Sequence, residues 1–311
     1  MFANLFSITA PLFLLVLLGY LLTAWGKWPK AASVALTRFV FSVALPTLLF
    51  RLMSDFSHLP HTDPRLLIAY FGSCLFVFVL GRAVGRFLFR MDGASQSVFA
   101  MGGIFSNNVM LGVPLAKLAL GDAAMPAVSL VLVFNTLLLW MLVTVSVEWA
   151  RNRSTSVRDL ARTAKGVITT PVVLGVLSGA AFGTTGLQLP SILDQTMATV
   201  SQAAIPLSLS ALGMGLQEYG IGTEWRESAA VCVLKLVAQA LAVVLLAWTL
   251  QLPAMETRVV VLLACLPVGA NVYLMARQFN VLGGAVASSL VASTALAAGT
   301  TPLALALVGA G

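Results

Sequence analysis

Two stretches of this chain set asparagine among glycine and proline inside otherwise apolar sequence. The first runs Met101-Gly102-Gly103-Ile104-Phe105-Ser106-Asn107-Asn108-Val109-Met110-Leu111-Gly112-Val113-Pro114, and the second Cys265-Leu266-Pro267-Val268-Gly269-Ala270-Asn271-Val272-Tyr273. Glycine and proline weaken a helix interior, and unwound backbone at membrane depth persists only where protein or a watery cavity satisfies it. Each break would expose the N-terminus of a half-helix, whose free N–H groups and positive dipole end favour an anion. Two such ends facing each other could hold a carboxylate without a full positive charge. Asn107, Asn108 and Asn271 are the expected polar contacts, with Ser106, Pro267, Gly269 and Ala270 shaping the breaks. The competing reading has glycine and proline as packing and kink residues and asparagine bonding to a neighbouring helix; the matching placement of the two stretches favours a binding site.

The elements that must position these residues are membrane helices. Of 311 residues, 59% are hydrophobic and 9% charged, against roughly a quarter charged in soluble domains, and the mean hydropathy is +0.97. Spans of about 20 apolar residues cross a bilayer core. That criterion places helices near 5–24, 31–53, 65–89, 95–117, 121–149, 166–185, 190–216, 226–250, 257–278 and 284–309. The asparagine-bearing stretches fall in the fourth and ninth of these ten.

The chain also repeats itself. Ile8-Thr9-Ala10-Pro11 returns as Ile168-Thr169-Thr170-Pro171, Gly19 meets Gly179, Pro46 meets Pro206, and Asn108-Val109 meets Asn271-Val272. The expectation is an all-α integral membrane protein of two five-helix repeats, 1–150 and 166–311, joined by a basic cytoplasmic linker at 151–165. An odd number of crossings per half makes the repeats inverted, an arrangement typical of transporters. Twelve of the 18 Lys and Arg residues fall in or beside the odd-numbered connections, which predicts both termini outside the cell in a multi-pass plasma (inner) membrane protein.

The net charge of +7 is scattered between apolar runs, so no nucleic-acid partner is expected. Cys74, Cys232 and Cys265 stand singly and suggest neither a disulfide framework nor a metal site. His58 and His61 read as a solvated loop. No zinc-protease or nucleophile-turn motif appears, so neither an enzyme nor a cofactor is expected.

Buried charge is costly and demands a reason. Lys235, ten residues into the eighth segment, reads either as a counter-charge beside the substrate path or as a structural partner for a helix end; Arg38, nearer an end of the second, reads as reaching the cytoplasmic surface. No acidic residue falls at mid-membrane. Sodium coupling would therefore need neutral oxygens, from Asn135, Ser129, Ser293 or Thr294. Pro11, Pro46, Pro171 and Pro206 are expected to kink the first two helices of each half.

Leu266-Pro267-Val268-Gly269 followed by Ala276-Arg277-Gln278-Phe279-Asn280-Val281, Asn107 to Pro114, and Ala44-Leu45-Pro46 together resemble motifs of the auxin efflux carrier family. That family includes plant PIN auxin exporters and bacterial carriers of malonate and other organic acids. The resemblance covers the whole chain. It implies ten helices in two inverted repeats with broken crossover helices 4 and 9, as in sodium/proton antiporters and bile-acid symporters. It further implies scaffold helices 1, 2, 6 and 7, transport helices 3–5 and 8–10, and a homodimer. Asn107 takes the place of a substrate-contacting asparagine and Pro267 opens the second crossover. One departure is Val272, where plant members carry a second proline.

The implied function is efflux of a small organic carboxylate by alternating, elevator-like access. Coupled symport and, less favoured, a channel are the other readings.

Overall fold

A computed structural model describes residues 2–54, 62–152, 165, 168–219 and 224–307. His58, His61 and most of the linker expected at 151–165 lie outside them. Among the described residues every regular element is helical: α1 (Phe2–Ala24), α2 (Lys30–Ser54), α3 (Arg65–Phe87), α4 (Gly93–Gly102), α5 (Asn108–Leu120), α6 (Met125–Asn152), α7 (Pro171–Thr184), α8 (Ser191–Tyr219), α9 (Trp225–Thr249), α10 (Ala254–Ala264), α11 (Ala270–Phe279) and α12 (Gly283–Leu307). Six helices are long and apolar enough to cross a membrane, including α2, α3, α8, α9 and α12, and shorter apolar helices lie between them. The protein is a multi-pass membrane protein.

The segments expected at 95–117 and 257–278 are not continuous helices. The first divides into α4 and α5, the second into α10 and α11. The second break spans Cys265 to Gly269 and ends before Val272, which is buried inside α11. Pro267 and Gly269 suffice to interrupt the helix, so the missing second proline changes nothing there.

Helix α1 packs along α8, and α2 along α7. The glycines matched in the sequence do the same job in these two pairs. A Cβ on Gly19 of α1 would overlap the Ser210 carbonyl oxygen on α8, and one on Gly179 of α7 would lie 2.5 Å from the Phe50 carbonyl oxygen on α2. Only glycine permits backbones this close, the usual device where lipid offers no hydrophobic drive to associate. Arg51 pairs with Asp194 at 2.8 Å, tying α2 to α8.

The prolines are not four equivalent kinks. Pro11 and Pro206 lie inside α1 and α8, and Pro46 follows a π-turn at Val40–Ala44. Pro171, in contrast, opens α7 at its first turn, where a missing N–H costs no intrahelical bond. Asp92 caps α4 by accepting from the Ser95 N–H at 3.2 Å, and hydrogen bonding from Ser95, its side chain above all, holds the Asp92 carboxyl below the usual range.

Candidate transport site

The two breaks lie against each other. The Asn107 N–H donates to the Pro267 carbonyl at 3.0 Å and the Gly269 N–H to the Phe105 carbonyl at 2.7 Å, closing an antiparallel bridge between Ser106 and Val268. Each break thereby supplies polar partners that lipid cannot. Approach this close requires Gly269: a Cβ there would sit 2.9 Å from the Ser106 carbonyl oxygen and 3.0 Å from the Phe105 ring.

Side chains from other helices satisfy further backbone groups of the breaks. Ser293 Oγ of α12 accepts from the Val268 N–H at 3.0 Å, and Thr301 Oγ1 donates to the Cys265 carbonyl at 3.2 Å. Helix α9 reaches both breaks from one π-turn, Leu234–Ala238, and the residue after it. Lys235 Nζ donates to the Ala264 carbonyl at 2.5 Å, at the C-terminal end of α10, while Gln239 Nε2 donates to the Ile104 carbonyl at 3.2 Å, just past the end of α4. A cation at a helix C-terminus meets the negative end of its dipole. Lys235 is fully buried among apolar neighbours and does not line the cavity described next.

That cavity, of about 580 Å³, opens where the half-helices begin. Met110 comes from the first turn of α5, and Ala270 and Asn271 from the first turn of α11; Ser33, Thr37, Arg38 and Ser42 come from α2, and Ala211, Leu212 and Gly215 from α8. The first N–H groups of a helix have no intrahelical acceptor. Two helix starts thus meet at one recess with mostly apolar walls.

Not every expected site residue reaches it. Asn107 and Asn108, three and two residues before Met110, are buried and do not line it. Asn108 Nδ2 donates to the Tyr70 hydroxyl at 3.0 Å, and that hydroxyl donates to Ser106 Oγ at 3.4 Å. Asn107 Nδ2 and Asn108 Oδ1 have no partner among the described residues. Ser293 and Thr294 spend their hydroxyls on backbone carbonyls of α12, and Ser293 also on Val268. Asn135 and Ser129 are buried on α6, and their Oδ1 and Oγ have no partner among the described residues. Among the described residues no hydrogen bond links these four. Reading the sequence alone missed Tyr70, Gln239 and Arg38 as contributors. A polar residue four positions after Lys235 was the available signal for Gln239; a charge inside an apolar segment was the signal for Arg38.

Comparison with known proteins bears on the same architecture. The membrane transport protein family model matches residues 5–159 and 155–305, nearly the whole chain. The chain belongs to this family, that of the auxin efflux carriers. It is 27% identical over 314 residues to a Rhizobium meliloti protein named "Putative malonate transporter", covering 99% of this chain and 97% of that one. It is also 25% identical over 218 residues to an uncharacterized transporter of Methanocaldococcus jannaschii, covering 65% of this chain and 66% of that one. Membership points to a membrane transporter rather than an enzyme.

Proposed function

We propose that this family member is a secondary transporter of a small organic carboxylate, working by alternating access. The carrying observation is that the first turns of α5 and α11 open on one cavity, with Asn271 between apolar walls. In this reading the chain is two inverted five-helix repeats making ten crossings, with α4–α5 and α10–α11 as the fourth and ninth. The antiparallel pairing of the two breaks supports that relation. The helices around α1, α2, α7 and α8 act as a scaffold, through which two copies pair, and the remaining segments move as the transport unit. The relative's name makes malonate the first acid to try. In a plasma membrane with both termini outside, export of an anion follows the membrane potential at roughly 2.3 kcal/mol per charge per 100 mV.

Sodium-coupled symport is the second reading, favoured by the unpartnered oxygens of Asn135 and Ser129. Replacing sodium with choline separates the two: coupling makes uptake sodium-dependent, facilitated movement does not.

The test is saturable malonate counterflow in proteoliposomes with wild type, Asn271→Leu and Asn107→Leu. Asn271→Leu should cut counterflow at least tenfold. Asn107→Leu should cut it comparably if the Asn107 amide turns into the cavity during transport. Wild-type rates in both variants remove this site, and conductance at channel rates without counterflow removes the carrier.

A further inference from the structure

Of the residues lining the cavity, Arg38 alone is charged, and no carboxylate faces it there. No ion pair engages Arg38 among the described residues, whereas Arg51, Arg65 and Lys117 each hold an aspartate. It stands on α2 and shares the cavity with the half-helix start that carries Asn271 on α11. The cavity thus offers two unlike recognition points on two different elements: dipolar amide groups on one, a full positive charge on the other. Hydroxyl residues of the same helix, Ser33, Thr37 and Ser42, line the cavity with it. Arg38 is exposed and also lines this recess of about 580 Å³, so its charge is open to a solute entering there.

A monocarboxylate seated on the amide ends leaves the guanidinium without an anion. A second acidic group on the same molecule removes that mismatch, and the planar fork of arginine matches a carboxylate through two parallel N–H···O bonds. We propose that Arg38 is a specificity-determining residue that holds the second carboxylate of a short dicarboxylate, so that the carried molecule is a dianion. This rests on the carboxylate reading above and sharpens it to a substrate class.

The experiment compares malonate with its monomethyl ester, which keeps the chain and one carboxylate, by ligand binding to the purified full chain in nanodiscs. Wild type should bind malonate about tenfold or more tightly than the ester, the scale of one charge-assisted pair. In Arg38→Gln the ratio should fall to about twofold or less, and in Arg38→Lys, which keeps the charge and loses the fork, it should lie between. An Arg38→Gln protein that retains the wild-type ratio overturns the role of Arg38. A wild type that binds both ligands equally overturns the dianion, and this measurement stands even where Arg38→Gln does not fold. Either result leaves the carboxylate site intact, whereas a wild type that binds neither acid removes that site and this inference with it.

Discussion

The two helix breaks share a backbone solution and differ in what surrounds it. At the second, a lysine and two hydroxyls from α9 and α12 hold the carbonyls and the N–H, and the following turn opens on the cavity. At the first, neutral Gln239 holds the Ile104 carbonyl, and the asparagines that follow are buried with Asn107 Nδ2 and Asn108 Oδ1 unpartnered. An unsatisfied buried polar group costs about 1–3 kcal/mol. Similar sequence stretches thus differ in their surroundings: the second break is fastened by a charged and two hydroxyl side chains, while the first holds polar side-chain atoms that lack partners among the described residues.

Gly269→Val tests the fastening most severely. Its branched side chain meets Ser106 and Phe105, and moving it away breaks the Gly269 to Phe105 hydrogen bond. Overpacking plus a lost buried bond should cost about 3 kcal/mol or more, seen as a melting temperature in detergent lowered by many degrees and as lost malonate counterflow. Gly103→Val at the first break would meet the Leu234 Cβ at 2.9 Å and the Ala100 carbonyl at 3.3 Å, a comparable clash, but among the described residues Gly103 makes no hydrogen bond to the other break, so the variant should be milder by about the worth of that bond. Equal damage at both sites would show that the breaks are equivalent after all.

How far the sequence foretold this asymmetry depends on the range of the forces involved. The interruptions were readable because Pro267, Gly269 and the Gly102-Gly103 pair act on their own backbone, whatever packs around them. The Gly19 and Gly179 match was readable as repetition, though its reason, carbonyls on α8 and α2, appears only when helices distant in sequence touch. The partners of the breaks were not readable. Lys235 and Ala264, Gln239 and Ile104, and Asn108 and Tyr70 are joined by tertiary approach, which no local pattern encodes. Arg38 is exposed, as a surface-reaching charge would be, but its place on the cavity wall was not readable because depth along a helix says nothing about which wall a residue faces. Pro171 was taken for a kink because a proline at a helix start and one within a helix look alike until the start is known.

The caps supplied by α9 give the next, smaller contrast. Lys235→Met strands the Ala264 carbonyl and removes the charge at the end of α10, while relieving the desolvation of a buried amine. The dipole and hydrogen bond should prevail by about 1–2 kcal/mol, and because this break presents Asn271, malonate affinity should fall several-fold as well. Gln239→Leu should also lower the melting temperature, yet leave affinity within about twofold, since Cys74 Sγ still approaches Ile104 at 4.0 Å and the first break does not face the cavity through its capped end. A melting temperature raised by Lys235→Met would mean that desolvation outweighs the cap.

Thr301→Val is the mildest probe. It keeps the shape of the side chain and removes only the hydroxyl that donates to the Cys265 carbonyl at 3.2 Å. The loss should be about 1 kcal/mol, the scale of one buried neutral hydrogen bond. Ser293→Ala should cost more, because Ser293 Oγ is the acceptor for the Val268 N–H, and a stranded buried donor is harder to satisfy than a carbonyl with a second lone pair. If the second break is held as a unit, the double variant should lose more than the sum of the two, since each hydroxyl keeps the backbone in place for the other. Simple additivity in thermal unfolding would instead describe two independent fasteners, and the contrast between the breaks would reduce to a count of hydrogen bonds.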